Sequence, residues 1–171
     1  LSTLAPRHRR VGLSATVADP DQLRRFLIPQ TMKKPRMAEI VRGEAGAVPD
    51  VSILVPEERV PWSGHSAKHA IDAVSGIIRE NKTVLVFVNT RRQAGFVFQE
   101  LGRANEEALP IALQHGSLSV DQRRKVEAAM TQGSLRAIVC TSTLDLGIDW
   151  GDVDLVINMG APKGASRLLQ R

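Results

Sequence analysis

An apolar run, Ala137-Ile138-Val139-Cys140, stops abruptly at Thr141-Ser142-Thr143, and Gly147-Ile148-Asp149 follows before a second apolar run at residues 153–157. Hydroxyls and backbone N–H groups at a strand end suit phosphate oxygens, and in open parallel sheets ligands gather at the carboxyl ends of strands. Thr141 and Thr143 would sit at such an end, each with a hydroxyl and a free N–H. Gly147 lets the backbone turn sharply or approach a ligand closely. Asp149 can accept hydrogen bonds from a sugar hydroxyl or orient a cation. Taken alone, each of these residues reads more readily as ordinary turn chemistry.

The same arrangement recurs along the chain. Ser14-Ala15-Thr16 follows Val11-Gly12-Leu13, residues 84–88 run into Asn89-Thr90-Arg91, and His115-Gly116-Ser117 follows the short run 111–113. Asn89, Thr90 and Arg91 are placed to meet a nucleic-acid backbone. Thr90 also reads as a helix N-cap, and the two roles are compatible because its own N–H would stay free. Gly116 and Ser117 precede a helix start, where unsatisfied N–H groups and the helix dipole favour a phosphate. The competing reading is a plain turn with Ser119 as the cap.

In this order the blocks at 14–16, 84–90, 115–119, 141–149 and 169–171 resemble motifs III, IV, a following phosphate-contacting loop, V and the opening of VI of a superfamily 2 nucleic-acid helicase. The wording of residues 141–157 and 160–171 is similar to the long helicase-related (Lhr) group, especially its bacterial ligase-associated DEXH-box branch. The likeness is nearly continuous from Val84 to Arg171 and limited to residues 11–16 near the start. It implies an α/β chain: a RecA-like parallel sheet with helices on both faces, forming the second helicase lobe and preceded by the tail of the first. Residues 1–32 would end the first lobe, 33–37 would be a linker, and 38–171 would form the second lobe, cut within motif VI.

The resemblance also assigns roles. Thr141, with Asn89, Thr90, Arg91, Gly116 and Ser117, would contact nucleic acid. Gly147, Asp149, Gln170 and Arg171 would face ATP, with a turn-capping role still open for Asp149. Ser14 and Thr16 would couple the nucleotide state to the strand-gripping surface. In such motors water attacks the γ-phosphate between two lobes, whose closing and opening ratchets them along single-stranded DNA. The sequence holds no Gly-x-x-x-x-Gly-Lys-Ser/Thr loop and no Asp-Glu-x-His-like box, so Mg²⁺ and ATP would be held mainly by the other lobe. A motif VI arginine beyond Arg171 would also be needed, and such fingers are worth about 10³–10⁵ in phosphoryl transfer. The chain alone is therefore expected to be inactive, as a piece of a longer ATP-dependent DNA helicase or translocase. Implied partners are single-stranded or partially duplex DNA and other DNA-repair enzymes, in a bacterial cytoplasm. An RNA helicase of the same superfamily would share every motif, and a non-catalytic RecA-like binding module stays open as a third reading.

Local signals place these residues on elements. Residues 21–27 read as a short helix after the Asp19-Pro20 turn, and 11–13, 39–42 and 51–55 as strands. Ile71, Val74, Ile77 and Ile78 form the apolar stripe of a helix over 68–80. Thr90-Arg91-Arg92-Gln93 and Ser119-Val120-Asp121-Gln122 both have the capping-box pattern, and Gly133 suits the stop of the second helix. Strands alternating with helices, several nearly all apolar, argue for a parallel sheet covered on both faces.

Composition agrees. The chain has 171 residues and 23 Lys and Arg against 18 Asp and Glu, with the basic residues clustered at 7–10, 33–34, 91–92 and 123–125. Such clusters suit a polyanion. Cys140, the single cysteine, reads as a small core residue in a buried strand, and one cysteine makes no internal disulfide, in keeping with a reducing cytosol. His65 and His69 have helical spacing but no evident third ligand, so no zinc site is assigned. Trp62 and Trp150 present faces on which bases can stack, although packing is the plainer role. No apolar run approaches the roughly 20 residues that cross a bilayer.

Overall fold

The computed structural model describes residues 4–5, 7–14, 17, 19–29, 36–43, 48–55, 68–142, 152–162 and 164–170. The chain divides into two compact units, residues 1–52 together with Gln170, and residues 53–169.

Among the described residues of the first unit there is one helix, α1 (Pro20–Leu27). Asp19 caps it by accepting from the N–H groups of Asp21 and Gln22, and Pro20 occupies a first-turn position where no N–H is needed. The Arg24 guanidinium donates to the Ala38 carbonyl at 2.7 Å while the Ala38 N–H donates to the Arg24 carbonyl, tethering the following segment to the helix. The strands expected at 11–13, 39–42 and 51–55 do not form. Their apolar residues face solvent, with Leu13 94% and Val41 95% exposed. β-Branched residues favour a strand only where a partner supplies the ladder, and no described residue pairs with these segments.

The second unit is built around a four-stranded parallel sheet: β1 (Val84–Val88), β2 (Ile111–Gln114), β3 (Ala137–Cys140) and β4 (Leu155–Met159), in the order β2-β3-β1-β4. All five residues of β1 and all four of β3 are buried, as the continuous apolar runs required. Alternate side chains divide the core. Val84, Val86, Val88, Ala137 and Val139 pack with α2 (Ile71–Glu80) and α3 (Arg91–Ala104) on one face. Leu85, Phe87, Ile138 and Cys140 pack with Met130 and Val126 of α4 (Val120–Thr131) on the other. Helices thus cover both faces, as in a RecA-like lobe. Cys140 is a fully buried core thiol.

The helices follow their sequence signals closely. The buried positions of α2 are Ile71, Val74, Ser75 and Ile78, one face at helical spacing, preceded by a 3-10 turn at Lys68–Ala70. Ser119 and Gln122 form a complete capping box on α4. Gly133, at φ +65°, ends that helix: its N–H donates to Met130 and that of Ser134 to Ala129, the double bond of a Schellman stop. The last strand begins two residues later than expected, at Leu155. Asp154 is taken up by the turn below β1, its carboxylate accepting from the N–H groups of Lys82 and Thr83 at 3.0 and 2.8 Å. A short helix, α5 (Ala165–Gln170), follows β4.

Candidate functional site

The chain travels from β1 two places across the sheet to β2, returns one place to β3, and then travels two places the other way to β4. Reversals of this kind in an open parallel sheet mark where ligands bind, outside the carboxyl ends of the strands. Asn89, Thr90 and Arg91 follow β1, Gly116 and Ser117 follow β2, and Thr141 follows β3. Six residues singled out from three separate stretches therefore share one edge.

At that edge the Arg91 guanidinium donates to the Ser117 hydroxyl at 2.7 Å. The bond joins the ends of β1 and β2, and β3 with its Thr141 lies between these strands. The Thr90 hydroxyl caps α3 by accepting from the Gln93 N–H at 3.1 Å, and no described residue accepts from the Thr90 N–H. Arg91 and Gly116 are exposed, as are Thr90 and Ser117. The loop between them is held from within, because the Leu118 N–H donates to the His115 carbonyl and the Ser117 N–H to His115 Nδ1. Helices α3 and α4 both begin here; Arg91 and Arg92 in the first turn of α3 are exposed, as are Arg124 and Lys125 one turn into α4. Fixed hydroxyls, open helix starts and unburied cations together form a surface that can hold a string of phosphates.

Two details differ from expectation. The Thr141 N–H is not free: it donates to the Gln114 carbonyl at 3.3 Å, continuing the β2–β3 ladder past the last strand residue. Thr141 is 7% exposed, so it lies in the floor of this edge and not at its rim. At the start of α3 the expected capping box is only half made. The Gln93 carboxamide oxygen accepts from the Asn89 N–H, one residue earlier than a capping box requires. The Asn89 side chain in turn donates to the Ala161 carbonyl beyond β4.

The remaining expected residues come from other parts of the chain. Ser14 is exposed in the first unit, and Gln170 is the last residue of α5. Thr16, Thr143, Gly147, Asp149 and Arg171 lie outside the described residues, as do Trp62, His65 and Trp150. Two residues the motif reading passed over belong to the site's support. Gln93 carries the hydrogen bonds just described. Gln114, 2% exposed, donates its side-chain NH₂ to Glu127 of α4, and its side-chain Oε1 is buried without a hydrogen-bond partner. The signal for Gln114 was a polar residue closing an apolar strand immediately before His-Gly.

Among the described residues no helix is long and apolar enough to cross a membrane. Residues 66–171 match the family described as the helicase conserved C-terminal domain. The chain is 34% identical over 169 residues to the ATP-dependent helicase Lhr-Core of Saccharolobus solfataricus, covering 95% of this chain and 19% of that protein. It is 32% identical over 200 residues to the Lhr helicase/probable uracil glycosylase of Mycolicibacterium smegmatis, covering 95% and 13% respectively. The structure of Mycobacterium smegmatis helicase Lhr bound to ssDNA and AMP-PNP is similar at a TM-score of 0.73 and 35% identity, over 94% of this chain and 21% of that one. The chain thus spans about a fifth or less of these relatives.

Proposed function

The chain belongs to the helicase conserved C-terminal domain family, as a superfamily 2 domain of the Lhr type, and on that premise we propose that it is the second RecA-like lobe of an ATP-dependent DNA helicase or translocase acting in DNA repair. The observation that carries this reading is the Arg91–Ser117 bond, which draws two phosphate-suited stretches together over the end of β3. A single strand of DNA would run along this edge. Arg91 supplies charge, Thr90 and Gly116 supply open backbone, and Ser117 and Thr141 supply hydroxyls, with Asn89 at the β4 side. The relative solved with ssDNA and AMP-PNP supports both a DNA substrate and the use of ATP.

The domain reading follows the same logic: residues 1–32 end a preceding lobe, 33–37 link, and 38–171 form this one. It is supported by the family match, which falls within the last segment. Gly147, Asp149, Gln170 and Arg171 would face ATP, and Ser14 and Thr16 would couple nucleotide state to grip. ATP with Mg²⁺ would supply the phosphoryl chemistry, held mainly by the other lobe. This chain's contribution is to hold the strand and to present nucleotide-facing residues after β3 and at the end of α5. The working partner is single-stranded or partially duplex DNA, with other repair enzymes nearby in the cytoplasm.

The test is strand displacement by the full-length protein on a duplex with a single-stranded tail. The expected result is displacement that requires hydrolysable ATP and is absent with AMP-PNP. DNA binding without displacement or ATP turnover would favour a non-catalytic binding module instead.

A further inference from the structure

The backbone pairing between β1 and β4 ends at Val88 and Met159. Side chains continue it beyond that point. The Gln93 carboxamide accepts from the Asn89 N–H at 3.2 Å, and its NH₂ donates to the Met159 carbonyl at 3.4 Å. The Asn89 NH₂ donates to the Ala161 carbonyl at 3.3 Å. Gly160 sits between these bonds at φ +97°, and a Cβ there would lie 2.8 Å from the Asn89 side-chain nitrogen. A side chain at this position would push the Asn89 carboxamide from its place, and the positive φ itself favours glycine.

Gln93 suits this position because a carboxamide both accepts and donates. The N-cap of α3 does not need its side chain, since the Thr90 hydroxyl already takes the Gln93 N–H. The side chain is therefore spent on joining two strand ends. One end leads directly to Thr90 and Arg91. The other leads through Pro162 into α5, whose last residue is Gln170.

We propose that Gln93 is a positioning residue that transmits strand binding at the end of β1 to the nucleotide-facing segment after β4. This rests on the helicase reading above and adds the residue through which the two sites communicate. The Asn89–Gln93–Met159 bonds join the end of β1 to the end of β4, and chains of hydrogen bonds between packed elements are one way such coupling is carried. Both cross-strand bonds are long for amide hydrogen bonds, so the link can tighten when DNA loads the edge.

The test compares Gln93→Leu and Gln93→Glu with the wild type in the full-length protein. Three quantities are read: ATPase without DNA, affinity for single-stranded DNA, and ATPase at saturating DNA. Gln93→Glu keeps an acceptor for the Asn89 N–H but cannot donate to Met159, so it cuts the link while sparing the helix start. Both variants should keep basal ATPase and hold DNA affinity within about twofold, yet lose at least about fivefold of the DNA stimulation, the lower end of usual coupling strengths. Wild-type stimulation in Gln93→Glu would overturn the proposal. So would a parallel loss of affinity, basal rate and melting temperature, the mark of a merely structural residue. A wild-type protein whose ATPase ignores DNA would instead overturn the helicase reading, and this inference with it.

Discussion

At the scale of single residues, the site is made by side chains whose partners are far away in sequence. Arg91 and Ser117 each read as suited to phosphate because they lie beside helix starts, although an exposed arginine and a turn serine are also common there. Their mutual bond was not recognisable, since it depends on β1 and β2 lying on either side of β3. Gln93 and Gln114 were missed for a related reason. An amide side chain can satisfy a local cap or a distant carbonyl, and sequence spacing reveals only the first. In Arg91→Ala the loss of one phosphate contact should weaken single-stranded DNA binding uniformly across sequences and reduce the salt slope by about one. Binding titrations of the full-length variant at several salt concentrations measure this, and an unchanged slope would remove Arg91 from the strand path.

At the scale of elements, local chemistry predicted helices better than strands. Thr90 and Ser119 announce α3 and α4, the Ile71–Val74–Ile78 stripe announces α2, and Gly133 ends α4. Caps and apolar stripes act within a few residues, so they survive in the sequence. The buried strands β1 and β3 were equally plain. Segments 11–13, 39–42 and 51–55 also carry apolar residues, but no described residue pairs with them. The energetics of α3 and α4 follow from burial. Leu101, 1% exposed in the core between sheet and helices, should lose about 2–5 kcal/mol as Leu101→Ala. Ser119→Ala removes one cap bond and should cost about 1 kcal/mol. Denaturant midpoints of the two variants should rank in that order, and the reverse order would mean that α4 holds the lobe more firmly than its core contacts indicate.

At the scale of the molecule, the parallel α/β class was legible from alternating strands and helices, while the strand order β2-β3-β1-β4 was not. Order is a non-local property, yet it is what gathers the strand ends into one edge. The clustered basic residues gain meaning only from this arrangement, which brings Arg91 and Arg92 to the start of a helix at that edge. The nucleotide side is less well joined to the sequence reading, because Gly147, Asp149 and Arg171 fall outside the described residues. The central claim is that this lobe couples grip on a DNA strand to ATP turnover. It is tested most directly by ATP hydrolysis of the full-length protein alone, with single-stranded DNA and with RNA of the same sequence. Strong stimulation by DNA and little by RNA is the predicted result; stimulation by RNA alone, or no hydrolysis under any condition, would contradict it.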